Sequence, residues 1–150
     1  LDQAIFEQWK MQLESLDRYE NQADCQMFLA MVEAVTHCLS DDVIDVLLGT
    51  FGNAHDHGVQ ESVMRVLDQA PPQQYAARLA AGFEALMEAS SEREWPLILL
   101  GRLFNSHDDS GAAALLEQVA KGDVLHAFLR SDSFIEEYPQ AEVLLPRYGL

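Results

Sequence analysis

Basic residues are scarce in this chain. Two lysines, Lys10 and Lys121, and seven arginines stand against 25 Asp and Glu, giving a formal net charge of −16 over 150 residues and a pI near 4.4. Such a surface repels phosphate backbones, which excludes nucleic acid as a partner. Anionic membranes are disfavoured on the same ground. A basic protein, by contrast, is attracted and steered into contact. High charge of one sign also serves solubility.

Cysteine is rarer still, with only Cys25 and Cys38. On a shared helix their spacing turns them apart by about 220°, so they could not bridge. Two unpaired thiols fit a reducing compartment. The opening LDQAIFEQWK has no basic segment before an apolar core, so it reads as no signal peptide. The expected location is therefore the cytoplasm. The sequence opens on Leu1 rather than Met, which leaves the start of the chain open. Apolar runs such as Pro96–Leu100 fall far short of a membrane span.

Also missing is any segment that alternates with period two, and any Asn-Gly or Asp-Gly hairpin signal. No G-x-S-x-G, phosphate-cradling glycine loop, H-E-x-x-H or C-x-x-C occurs. Carboxylates are abundant, but no spacing singles out a pair. The chain is expected to have no catalytic residues, no resident metal and no cofactor.

What is present is helical periodicity and a repeat. Apolar residues make up 49% of the chain, enough for a core at this length. Phe6, Trp9, Leu13 and Leu16 fall on one face of a helix over 3–19, with Glu7, Glu14 and Arg18 opposite and Glu14–Arg18 as an i,i+4 pair. Asp24 is expected to cap a second helix carrying Phe28, Val32, Val35 and Leu39. Val59, Val63, Val66, Leu67 and Ala70 form a further stripe, Pro71-Pro72 breaks the chain, and Tyr75, Leu79, Phe83, Leu86 and Met87 follow. Trp95–Phe104 is apolar nearly all round, as a central helix is. Val124, Leu125, Phe128 and Leu129 form a late helix, and one short helix is expected between Pro139 and Pro146. His37 and His126 are expected as partly buried structural residues.

Residues 46–57, VLLGTFGNAHDH, and 98–109, ILLGRLFNSHDD, match at six of twelve positions at an offset of 52. Periods of this size mark stacked repeats. The expected architecture is one all-α domain over 1–150 with seven or eight helices in antiparallel pairs and repeat units near 41–89 and 92–130. Gly49 and Gly101 read as mid-helix glycines, where glycine costs about 1 kcal/mol relative to alanine, so each predicts a close helix approach. The Asn-x-His-Asp element could be a metal site from His55, His57, His107, Asp108 and Asp109. It reads better as a capping turn in which Asp56 and Asp108 serve the next helix.

The acidic clusters are the stronger functional lead. Asp42 and Asp45 lie on an outward helix face with Asp41 adjacent, Asp108 and Asp109 lie in the repeat turn, and Glu136-Glu137-Tyr138 joins acids to an aromatic. Tyr138 and Tyr148 are expected as interface anchors, since binding hot spots favour Tyr, Trp and Arg.

The paired helices and the repeated L-L-G-x-φ-x-N-x-H-D stretch, across about Asp24–Arg130, resemble HEAT-like helical repeats. With the small size and acidity, the chain resembles the immunity proteins of bacterial polymorphic-toxin and contact-dependent inhibition systems. That resemblance implies a non-enzymatic inhibitor that binds one cognate toxin domain, for which a nuclease with a basic groove is the natural fit. The alternative is a general HEAT-like protein-interaction adaptor whose acidity serves solubility. A small metal-dependent enzyme using the His/Asp turns is a third reading.

Overall fold

The structure, a computed structural model, describes residues 1–56, 58–92, 94–105 and 108–150. The protein is all-α, with ten helices and no strand among the described residues. They divide into two compact units, Leu1–Ala70 and Pro71–Leu150. The boundary falls at the Pro71-Pro72 break, inside the expected first repeat unit 41–89.

The first unit holds α1 (Gln3–Ser15), α2 (Gln22–Ala34), α3 (Asp41–Leu48) and α4 (Val59–Leu67). Asp2 caps α1 by accepting from the Ile5 amide at 2.9 Å. Asn21, rather than Asp24, caps α2, accepting from the Asp24 amide at 3.0 Å. Asp24 turns back to accept from the Asp17 amide at 3.0 Å. Ser40 caps α3 through the Val43 amide at 3.3 Å. Each cap satisfies an amide that has no partner within its helix. α1 and α4 both pack on α2, and α3 packs on α4. Phe6, Leu13, Phe28, Val32, Ile44, Leu47, Val59 and Val63 are buried. Trp9 is only half-buried and donates its indole N–H to Met31 O at 3.1 Å.

Arg18 departs from the sequence reading. α1 stops at Ser15, so the i,i+4 pairing with Glu14 does not arise. The chain turns inward instead, and the Arg18 side chain is 8% exposed against an Asp56 side chain at 2%, with Nε and Oδ2 3.5 Å apart. The guanidinium carbon lies 5.0 Å from the Tyr19 ring centroid and 4.8 Å from that of Phe28. Its NH2 group donates to the Thr50 carbonyl and the Tyr19 hydroxyl.

The second unit holds α5 (Pro72–Ala89), α6 (Glu94–Phe104), α7 (Ser110–Leu116), α8 (Val124–Leu129), α9 (Asp132–Glu137) and α10 (Gln140–Arg147). α5 packs on α6, α7 and α8, and α6 packs on α7. An aromatic chain runs through its core. Phe83 meets Phe128 at 5.3 Å between centroids, Phe128 meets Phe134 at 5.9 Å, and Phe134 meets Phe104 edge-on at 5.2 Å. Gln140 donates to the Phe104 carbonyl at 2.7 Å, closing the end of α6. His126 is buried. Its Nδ1 accepts from the Gly122 amide at 2.8 Å, which leaves Nε2–H to donate to Leu150 O at 3.0 Å.

Several local expectations are corrected. His37 and Val124 are exposed. Cys25 sits in α2, but Cys38 lies beyond its end, so they share no helix; both are free thiols. The tail forms two helices, and α10 runs through Pro146. Pro146 lacks an N–H, so α10 forgoes the bond that this residue would return to Glu142.

Candidate functional site

The repeat forms a helix, a loop and a second packed helix in each unit, α3–α4 and α6–α7. The two loops are built differently. In the first unit Gly49 ends α3 as its C-cap, and the chain then runs irregularly as far as Asp56. A Cβ on Gly49 would meet only carbonyls of its own helix at 3.4 and 3.5 Å, so the expected close helix approach is absent there. Buried Gln60 clamps this loop, accepting from Gly52 N at 2.7 Å and donating to Ala54 O at 3.1 Å. Asp56 accepts from the Gln60 amide at 3.2 Å. It thus serves the first turn of α4, while its other oxygen faces Arg18.

In the second unit, α6 continues through Gly101 to Phe104. Arg102, Leu103 and Phe104 stand where the first copy has Thr50, Phe51 and Gly52, and they sustain a helix better than that segment does. Gly101 does mark a close approach, but its neighbour is the Tyr138 ring, whose hydroxyl and ring carbons occupy the place a Cβ would take. Asp108 accepts from the Ser110 amide at 3.0 Å, at the start of α7. His57 and His107, both named in the metal reading, lie outside the described residues. Asp56 in that element is already engaged by Arg18 and Gln60.

The predicted acids fall in three settings. Asp42 and Asp45 line a groove of about 480 Å³ in the first unit. Asp41 is exposed at the start of the same helix and is not part of the lining. The groove lies between α1 and α3, which flank it while packing on α2 and α4 respectively. Phe6, Leu13, Phe28 and Val46 are its apolar lining, the first three of them buried. Glu7 and Glu14 from α1 complete the acidic walls, and Lys10 is the one basic residue in the lining. The sequence assigned Glu7 and Glu14 to a helix face turned away from the core. The missed signal is their seven-residue spacing beside Phe6 and Leu13, which places them along the border of the apolar stripe.

Glu136 lines a second groove, of about 580 Å³, within the second unit. Asp132, Glu142 and Arg130 join it there, with Ile135, Leu145 and Pro146 as apolar lining. Glu137 is exposed and outside that lining. Tyr138 is a correction. It is 9% exposed and packs 5.1 Å from Phe134, so it is a core ring rather than a surface anchor. The apolar neighbours on α6 and α9 compete for the ring and win. Tyr148 remains partly exposed at the end of α10. Asp108 and Asp109 are exposed at the start of α7.

No helix among the described residues is long and apolar enough to cross a membrane. No group of three or more His, Cys, Asp or Glu among them could hold a metal ion. Compared with protein-family models, curated proteins and solved structures, the chain matches none.

Proposed function

We propose that this chain is a non-enzymatic inhibitor that captures a basic protein domain through the acid-walled groove of its first unit. The observation that carries this reading is the convergence of Glu7, Glu14, Asp42 and Asp45 on one groove with Lys10 as its one basic residue. The overall excess of 25 acids over nine bases supplies the long-range field. The resemblance to immunity proteins of polymorphic-toxin and contact-dependent inhibition systems supports a cognate toxin domain as the partner, and the cytoplasm as the place of action. A nuclease fits best, because its phosphate-binding groove is basic. Carboxylates seated in that groove block substrate without any chemistry of their own, and complementary charge speeds the encounter. The acidic groove around Asp132, Glu136 and Glu142 is a second contact surface of the same kind.

The test first asks whether a large secreted-toxin gene lies immediately upstream, and takes the C-terminal domain it encodes as the partner. Its association is expected to be fast at low salt, about 10⁸ M⁻¹ s⁻¹, and to slow at least tenfold on moving to about 300 mM salt. Asp42→Lys combined with Asp45→Lys should slow association about tenfold, with the main effect on the on-rate. Glu136→Lys with Glu137→Lys tests the second surface in the same way. A salt-insensitive on-rate, or unchanged binding in both double variants, overturns the reading.

A further inference from the structure

Charge on α1 is sorted by face. At about 100° per residue, Glu7, Lys10 and Glu14, the charged residues of this helix, fall within one arc, which lines the groove toward α3. The far side carries no charge. Ile5, Gln8 and Gln12 share it and are exposed, with Ile5 at 51%. Trp9 stands one turn beyond Ile5 and donates to Met31 O of α2, so this side of α1 adjoins α2. There the surface continues. Ala23, Met27 and Ala30 lie on one exposed arc of α2 beside Met31, and Met27 is 47% exposed. Glu33 projects about 120° away from Met27, and the half-buried Asp24 is turned back onto the Asp17 amide.

An uncharged face in a chain of 25 acids and nine bases limits its occupant. A basic domain finds no counter-charge there, and the acidic faces of this chain repel copies of themselves. This face does not. In a twofold contact the same residues stand on both sides, so the surface must complement itself. Ile5 and Met27 are apolar projections, and the alanines flanking Met27 are shallow positions that let a facing helix come close. A glutamine amide both donates and accepts, so Gln8 and Gln12 can bond their own copies. The size is sufficient for a weak contact. α1 and α2 have 13 residues each, about 20 Å of helix. Side by side at about 10 Å spacing they present a face of about 20 by 20 Å. Two copies thus cover about 800 Å² in outline, and side-chain relief carries the accessible area to the roughly 1,000 Å² at which specific interfaces begin.

We propose that two copies of the chain associate through this α1–α2 face as a weak twofold dimer. The arc of α1 that carries Glu7, Lys10 and Glu14 points the other way, so the groove stays open and the two surfaces act independently. Each copy carries −16, so long-range repulsion opposes the encounter and salt screens it.

Sedimentation equilibrium of the chain between about 10 and 500 µM tests this. A monomer–dimer equilibrium with a Kd of about 100 µM or tighter is expected at about 300 mM sodium chloride, weakening at least about threefold at about 20 mM. Gln8→Glu with Gln12→Glu sets carboxylates against their own copies at exposed positions, where glutamate serves a helix as well as glutamine does. This pair should weaken the dimer at least about tenfold. Gln69→Glu with Gln118→Glu adds the same charge at exposed positions off the face and should change the dimer less than about twofold. A monomer throughout the range overturns the dimer. Equal effects of the two charge pairs, or association that weakens as salt rises, overturn this face as its interface.

Discussion

Tyr138 and two glycines show how much is decided by single residues. Burial, and then the neighbouring Glu137 carboxylate, raise the Tyr138 phenol above its ordinary value of 10.0. Both effects disfavour the ionised phenolate in the folded state. In the unfolded chain the phenol loses its proton near the ordinary value, while the folded chain still holds it. Above that pH the unfolded state binds fewer protons, so stability falls as pH rises through the folded value. The urea midpoint should therefore decline as pH rises above about 10, and Tyr138→Phe should decline less. Equal alkaline slopes for the two proteins would remove Tyr138 from the account. Gly111 meets backbone where Gly101 meets a side chain, since a Cβ there would lie 2.9 Å from the Leu103 backbone carbonyl. Backbone cannot swing aside as a side-chain tip can. Gly111→Ala is expected to destabilise by about 1–3 kcal/mol, whereas Gly49→Ala, with only ordinary contacts, should stay within about 0.5 kcal/mol. Thermal or urea unfolding of the two variants checks the contrast.

At the scale of elements, the repeat is a shared sequence that folds onto two different supports. The first copy needs an irregular loop, and that loop is held from three sides by Arg18, Asp56 and Gln60. Arg18 has no counterpart in the second copy, and the position matching Gln60 is Ala112, a small buried residue on α7. A buried ion pair of this kind contributes little net stability when intact, but removing one partner leaves an uncompensated buried charge. Arg18→Met alone and Asp56→Leu alone are each expected to cost about 3–5 kcal/mol. The double variant should recover a large share of that loss, giving a coupling of at least about 1 kcal/mol in the cycle. Additive losses would show that the two side chains act independently. The loop is thus a device of tertiary contacts, although its sequence looks like a plain capping turn.

Across the whole molecule, charge rather than any single bond sets the behaviour. A net charge of −16 repels itself in the compact state, and that repulsion is screened as salt rises. The melting temperature is expected to rise by several degrees between about 10 and 200 mM sodium chloride, where the Debye length shortens from about 30 Å to below 10 Å. A flat or falling melting temperature over that range would show that local pairs outweigh the net field. On the proposed function the same salt range should weaken capture of a basic partner, so stability and binding should move in opposite directions. That opposition separates charge dedicated to recognition from charge that only keeps the protein dispersed.

The helical class is written in the residue pattern, because a 3.6-residue apolar period runs through nearly every segment and period-two alternation is absent. The same pattern by itself determined most of the buried faces: Val59, Val63, Val66 and Leu67 lie where the stripe put them. Asp56 was legible as a group serving the next helix, since local capping needs only local spacing. Asp42 and Asp45 were legible as an acidic helix face. Only the tertiary structure decided that Glu7 and Glu14 from another helix share their groove. It also turned Arg18 inward to Asp56, took Tyr138 from the surface into an aromatic core, and made Gly101 and Gly49 unequal. Each of these depends on a contact between residues distant in the chain. Helical periodicity records which face is apolar, but not which neighbour that face will meet.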